Sequence, residues 1–250
     1  MDEHSHQRCE LIFFKEKIML TKLLISVLLL TVITVCNATS PVIGFTALPA
    51  PKLDGDTSVE KALQSRRSTR QYTDGKITIQ QLSQILWSAY GITQPMSNFR
   101  GGLRTAPSAG AMFPFEIYVV IGKVDRLKPG IYKYYSEEHK ILEILDKDIR
   151  EDLAAVASNQ NMFKNAPITI VYTAIFSKMT ERYGSRGAER YVWIDLGHSA
   201  QNVYLQATAM GLGTCAVGAF DDAKLKDLLL LPESEQPLYL MPVGVPNTTR

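Results

Sequence analysis

The stretch R104-T-A-P-S-A-G-A-M-F-P-F-E-I-Y-V-V-I121 changes character half-way along. Its first half is proline, serine and small residues. Its second half is apolar and β-branched, with Glu116 as the one charge. E116-I-Y-V-V-I121 is too short for an ordinary helix and reads as a buried strand. The small side chains before it let backbone come close to a flat ligand, and Ser108 adds a hydroxyl and an N–H. A candidate binding loop therefore runs straight into a core strand. No G-x-S-x-G elbow surrounds Ser108, so a serine hydrolase is excluded.

Moving outward, I131-Y-K-Y-Y135 and K140-I-L-E-I-L145 flank a short polar turn and predict a hairpin. I168-T-I-V-Y-T-A-I-F176 and L238-Y-L-M-P-V243 predict two further strands. Helices are predicted between and around them. Thr57 and Glu60 have capping-box spacing for a helix running to about Arg66. Thr78 and Gln81 repeat the signal, Leu82, Ile85, Leu86 and Ala89 mark one face, and Gly91 is placed to close that helix in the left-handed conformation. Residues 148–157 read as helical, a long helix runs from about Glu189 to Met210 and ends at Gly211, and Asp221 caps a last one. The mixing lacks the regular alternation of a doubly wound sheet. It predicts one α+β domain over 57–250.

The segment before that domain reads differently. Lys15, Lys17 and Lys22 precede the apolar run L23-L-I-S-V-L-L-L-T-V-I-T-V35, and C36-N-A38 follows. The run is shorter than the roughly 20 residues that span a bilayer. Residues 1–38 are expected to be a secretory signal cut after Ala38, with Met19 as an alternative start and membrane anchoring by residues 20–36 as the alternative fate. Export to the periplasm or outside follows, with membrane contact only in transit. Residues 39–56 carry Pro41, Pro49, Pro51 and Gly55 without periodicity and read as a linker or arm. After the cut only Cys215 of the three cysteines remains, which suits an oxidising compartment.

Composition narrows the function. The 250 residues are 46% hydrophobic, and 27 Lys+Arg nearly balance 25 Asp+Glu, so no general pull toward nucleic acid is expected. The cysteines show no metal spacing, and no metal is expected. Basic groups that matter must act locally. S65-R-R-S-T-R-Q-Y72 puts Arg66, Arg67, Ser68 and Arg70 at a helix–loop junction. Like charges this close repel, and guanidinium forks with a hydroxyl match phosphate oxygens. The bland alternative is a solvated basic helix end. A third segment, G211-L-G-T-C-A-V-G-A-F220, fits G-x-G-x-x-A over its first six residues. It follows a helix and enters a strand, the reverse of a dinucleotide fingerprint, so that reading is rejected. Its backbone is instead exposed at Gly218 and Ala219. Cys215 with His198 or His139 as a hydrolytic pair ranks below a lone buried cysteine.

In order and spacing these segments resemble the nitroreductase superfamily of flavin mononucleotide (FMN) proteins, in particular its SagB/ThcOx-type branch. The resemblance covers roughly Ser58 to Pro246 and rests on R66-R-S-T-R-Q-Y72, PSAGAMFPFEIYVV from Pro107, PGIYKY from Pro129, D195-L-G-H-S-A-Q-N202, G211-L-G-T-C-A-V-G-A-F220 and PVGVP from Pro242. It implies a nitroreductase-like fold, with a central, mostly antiparallel sheet flanked by helices, in a homodimer that builds two flavin sites. Arg66, Ser68 and Arg70 would hold the FMN phosphate and ribityl chain, with Arg67 a neighbour. Pro107, Ser108 and Ala109 would line the isoalloxazine from the partner chain, and Gly218 and Ala219 would present N–H groups near its N5 and O4 edge. Many relatives supply further basic phosphate contacts after the PVGVP stretch, a departure for which Arg250 would be the substitute. The implied activity is an FMN-dependent oxidoreductase. It would reduce nitro or quinone acceptors, or dehydrogenate a small molecule or a peptide. The alternative is a non-catalytic exported flavin-binding protein. No catalytic side chain is assigned, since Arg190 beside Tyr191 is a poor base.

Overall fold

The computed structural model describes residues 44–95 and 101–247. The proposed signal, its cleavage site and Arg250 lie outside the described residues.

The sheet forms where the apolar runs predict it. β4 (Phe115–Ile121) pairs with β5 (Gly130–Tyr135) on one side and with β7 (Ile168–Ala174) on the other, with Val119 opposite both Tyr132 and Ile170. β5 continues to β6 (Lys140–Leu145), and β7 to β9 (Gln236–Gly244), which carries the short β8 (Gly213–Thr214). β1 (Phe45–Ala47) closes the other edge, giving the order β1-β6-β5-β4-β7-β9-β8. Every ladder in this sheet is antiparallel. The central strands are covered on both faces, so β7 is buried at all seven positions and is largely apolar rather than alternating, with Thr169 and Thr173 buried among its apolar residues.

Helices supply the two covers. α1 (Val59–Ser65) leads to α2 (Ile79–Tyr90), and both pack against the long α6 (Val192–Ala209). Leu82, Ile85 and Leu86 of α2 and Leu196, Val203 and Ala207 of α6 pack with Ile117, Val119 and Ile170 in one core. Tyr118, Val120 and Val171 look to the other face. There α3 (Arg150–Val156), α4 (Met162–Asn165) and α7 (Asp222–Leu228) bury Leu153, Phe163 and Leu225. α5 (Ser177–Tyr183) and a π turn at Gly187–Tyr191 lead into α6.

Several sequence expectations shift. α1 is capped by Ser58, whose side chain accepts the Lys61 N–H, one residue later than the Thr57 spacing predicts. The Thr78–Gln81 capping box forms as read. Gly91 does close α2, but in an extended conformation (φ −67°, ψ 156°), not a left-handed one. Glycine is needed there because a Cβ would run into the ring and carbonyl of Trp87. The segment read as an arm contributes β1 and is latched further on. The His139 ring meets the Pro49 carbonyl (3.0 Å), buried Ser83 (2.7 Å) and the Tyr134 hydroxyl (2.8 Å). The small β2 (Ile92–Gln94) and β3 (Leu103–Arg104) hairpin was not legible at all.

Candidate functional site

The arginine segment leaves α1 in an extended conformation, starting at Arg66 (φ −53°, ψ 128°). It is then stitched to the end of the sheet. Ser68 bridges Thr214, the Thr69 N–H donates to the Thr214 carbonyl (2.9 Å), and Tyr72 hangs from the carbonyls of Thr69 (2.7 Å) and Pro242 (3.0 Å). Alternate residues of an extended chain share a side. That rule groups Arg66, Ser68 and Arg70 and separates them from Arg67. Arg67 turns back to the last carbonyls of α1, donating to those of Gln64 (3.0 Å) and Arg66 (2.7 Å).

Tyr204 of α6 is the hub of this region, and sequence reading missed it. Its hydroxyl accepts the Ala216 N–H (2.7 Å) and lies 3.3 Å from Ser68 Oγ. The Arg66 guanidinium stands 5.1 Å from its ring centre. Tyr204 thus ties the first predicted segment to the third. Two residues past Ala216, Gly218 and Ala219 are exposed, and among the described residues their N–H groups donate to nothing. Arg66 and Arg70 make no ion pair among the described residues. Arg66, Ser68 and the Ala216 N–H meet at Tyr204, and Arg70 and the exposed Gly218 and Ala219 follow two to three residues along each segment, a donor set of the kind a phosphate and a polar ring edge require.

The second predicted segment lies elsewhere on α6. The Ala109 N–H donates to both carboxylate oxygens of Asp195 (3.2 Å each), and Ser108 Oγ accepts the Phe113 N–H (2.9 Å). Asn202 donates to the Thr105 carbonyl (3.0 Å), fixing the other end of the loop. Pro107 is exposed, whereas Ser108 and Ala109 are half-buried. The loop carries positive φ at Gly110 (59°), Ala111 (52°) and Phe113 (47°). Non-glycine residues in that region cost roughly 1 kcal/mol or more each, so the anchors at Asp195 and Asn202 hold a strained shape. Burial pushes the Asp195 carboxyl above the ordinary range, opposed by the Ser108 hydroxyl and the Ala109 N–H. The signal that could have found Asp195 is its place in the D195–N202 stretch, a charge on an otherwise buried helix face.

The remaining candidates resolve simply. Cys215 is buried with its thiol 3.7 Å from the Ala216 carbonyl, and His139 is engaged with the arm, so no Cys–His pair forms between them. Tyr191 receives the Arg186 Nε–H (3.1 Å). Among the described residues no cluster of His, Cys, Asp and Glu could hold a metal ion, and no helix is long and apolar enough to cross a membrane.

The sequence model of the nitroreductase family matches residues 63–245, which takes in all three segments. The chain belongs to the nitroreductase family. It is 44% identical over 189 residues to a protein of Methanocaldococcus jannaschii assigned as a nitroreductase, covering 76% of this chain and 91% of that one. It is 27% identical over 192 residues to the trifolitoxin operon protein TfxC of Rhizobium leguminosarum bv. trifolii, spanning 73% of this chain and about half (54%) of that protein. A crystal structure assigned as a nitroreductase from Ralstonia eutropha JMP134 superposes with a TM-score of 0.70 at 26% identity, over 82% of this chain and 90% of that one. The family membership makes this chain an oxidoreductase by class, on a nitroreductase fold.

Proposed function

We propose that this nitroreductase-family chain is an FMN-dependent oxidoreductase that works as a homodimer. The observation that carries the reading is the Tyr204 hub, which brings Arg66, Ser68 and the start of the 216–219 backbone to one place. The residues fit the group: two guanidinium ions with no acidic partner among the described residues and a hydroxyl suit its phosphate, and the Gly218 and Ala219 N–H groups, unbonded among the described residues, suit its polar ring edge. FMN, when bound, supplies the chemistry by taking up and giving back electrons. The chain's own part is to bind and orient. Arg66, Ser68 and Arg70 would neutralise the phosphate. Gly218 and Ala219 would donate where negative charge develops on reduction, which favours the reduced form. Pro107, Ser108 and Ala109 would cover the ring and exclude water.

The geometry of α6 supports the dimer. The loop anchored at Asp195 and the segments anchored at Tyr204 meet opposite faces of one helix, so one ring reaches both only if the loop comes from a second copy. The solvent side of α6 suits that contact, since Trp193 and Ile194 are 48% and 47% exposed beside Gly197, and Val59 and Leu63 of the neighbouring α1 are exposed as well. Acceptors are proposed to be nitro or quinone compounds. Alternatively the site dehydrogenates a small molecule or a peptide.

Export is part of the proposal and rests on the apolar run and C36-N-A38. Outside the cytoplasm nicotinamide cofactors are absent, so NADH and NADPH are expected to reduce the flavin slowly and dithionite readily. The test is a visible spectrum of the purified chain, then anaerobic reduction and addition of a nitro or quinone acceptor. Bound FMN that returns to its oxidised spectrum with the acceptor supports the enzyme. A colourless protein that takes up no FMN overturns the reading, and FMN that never turns over marks a carrier. An N-terminus at Thr39 in protein from its host supports export, and an intact N-terminus on soluble protein overturns it.

A further inference from the structure

His139 is a titratable side chain that the candidate site does not use, and three segments converge on its ring. The arm brings the Pro49 carbonyl to 3.0 Å from Nε2. α2 brings the buried Ser83 hydroxyl to 2.7 Å from Nε2, and that hydroxyl also donates to the Pro49 carbonyl. β5 brings the buried Tyr134 hydroxyl to 2.8 Å from Nδ1. These partners fix the tautomer. A carbonyl only accepts, so Nε2 carries the hydrogen, and Nδ1 is left bare to accept the Tyr134 O–H. The arm has few other holds. Leu48 gives its N–H to the His139 carbonyl (3.1 Å) and is the arm's buried apolar side chain. Gln80 reaches the Ala50 carbonyl (3.0 Å), and the Gln84 amide takes both the N–H (2.8 Å) and the carbonyl (3.1 Å) of Lys52.

A second proton on the ring has no ready place. It would go on Nδ1, where the Tyr134 hydrogen already points, and the buried hydroxyl would lose its acceptor. No carboxylate pairs with His139 among the described residues. On its own turn Glu138 is paired with Lys140 (3.2 Å), and Glu137 is exposed. α2 offers no charge, only Ser83. Lys52 of the arm, Lys140 of β6 and Arg104, whose charge acts on the Tyr134 hydroxyl, carry the sign of an imidazolium. Burial accordingly holds the His139 pKa below the ordinary value of about 6.5, against the pull of the Pro49 carbonyl, which favours the charged form. A histidine lowered in this way stabilises the fold above its unfolded pKa, and that contribution is lost as pH falls through the folded value. The arm is the part that yields. α2 and β5 belong to the core, whereas lifting the arm opens the ring to water and uncovers little besides Leu48. We infer that His139 is an acid-sensitive clip, which holds residues 45–52 on α2 and β6 when neutral and releases them when protonated, with the rest of the fold intact.

Hydrogen exchange of the full chain reads the clip directly. Rates are corrected for the intrinsic pH dependence of exchange. Between about pH 7.5 and 5 the Leu48 and Lys52 amides are expected to lose protection at least about threefold, while the Ile170 and Tyr172 amides of β7 keep theirs. His139→Gln retains a donor for the Pro49 carbonyl and cannot titrate, so its arm amides are expected to hold the same protection across that range. If the variant fails to fold, NMR on the native chain decides. The His139 ring is then expected to titrate at lower pH than the exposed His198, and arm protection to fall with the His139 midpoint. Arm protection that does not change with pH overturns the inference. So does a loss that persists in His139→Gln, that departs from the His139 midpoint, or that β7 shares.

Discussion

Asp195 and Tyr204 stand on opposite faces of the same helix, and each holds one half of the candidate site. They are nine residues apart, which is two and a half turns and roughly 13.5 Å of rise. Asp195 grips the loop that carries Ser108 and Ala109, and Tyr204 grips Ser68 and Ala216. A single chain therefore turns the two halves away from each other.

Disturbing the exposed side of α6 is accordingly expected to cost both assembly and cofactor. Ile194→Glu places a charge on the surface proposed to meet a second copy. Light scattering should report a monomer, and the same sample should have lost its FMN while circular dichroism stays native. A variant that is monomeric and still fully loaded with FMN would refute the shared site.

Removing one guanidinium probes the phosphate role. Arg66→Ala is expected to weaken FMN about ten- to a hundredfold, the usual effect of losing a charged hydrogen bond. Arg67→Ala should weaken it much less, since that side chain is turned onto the carbonyls of Gln64 and Arg66. Equal losses at the two positions, measured by fluorescence titration, would contradict the alternation of the segment.

Gly213 offers a steric test of the same segment. A Cβ there would collide with the Thr69 side chain, so Gly213→Ala should push the 66–70 stretch off the sheet end and lower FMN affinity. Thr69→Gly removes the obstacle, and the double variant should recover most of the affinity. Two independent, additive losses would mean that the contact does not set the position of the arginines.

The pH dependence of folding tests the loop anchor. Burial raises the Asp195 pKa above its unfolded value of about 3.9. Between those two values the folded chain holds a proton that the unfolded chain has released, so this residue makes stability fall as pH rises through that window. Asp195→Asn keeps an acceptor for the Ala109 N–H and removes the titration. Denaturant midpoints measured across the acid range should lose that falling component in the variant, and an unchanged profile would count against the burial.

The outcome separates what local sequence can reveal from what it cannot. β4, β7 and β9 were legible because buried strands are largely apolar, β5 and β6 because a short polar turn separates two strand-like stretches, and α2 because its capping box is local. β1 and β8 were not, because short edge strands owe their existence to a partner far along the chain. In the site, the three segments stood out by composition. Tyr204 did not, since one tyrosine among small and aliphatic residues looks like packing until its hydroxyl is seen between Ser68 and Ala216.

The edge strand β1 has a consequence for solubility. β6 reads K140-I-L-E-I-L145, and Phe45–Ala47 pairs with its outer side at Lys140, Ile141 and Leu142. Without that cover the sheet would end in an open row of main-chain donors and acceptors on an apolar strand, a template for other chains to add to. A cut after Ala38 spares the cover, whereas a protease nick a few residues past Ala47 would release it. The short arm after the proposed export segment thus caps part of the β6 edge, and its loss is expected to leave that edge open to pairing with other chains.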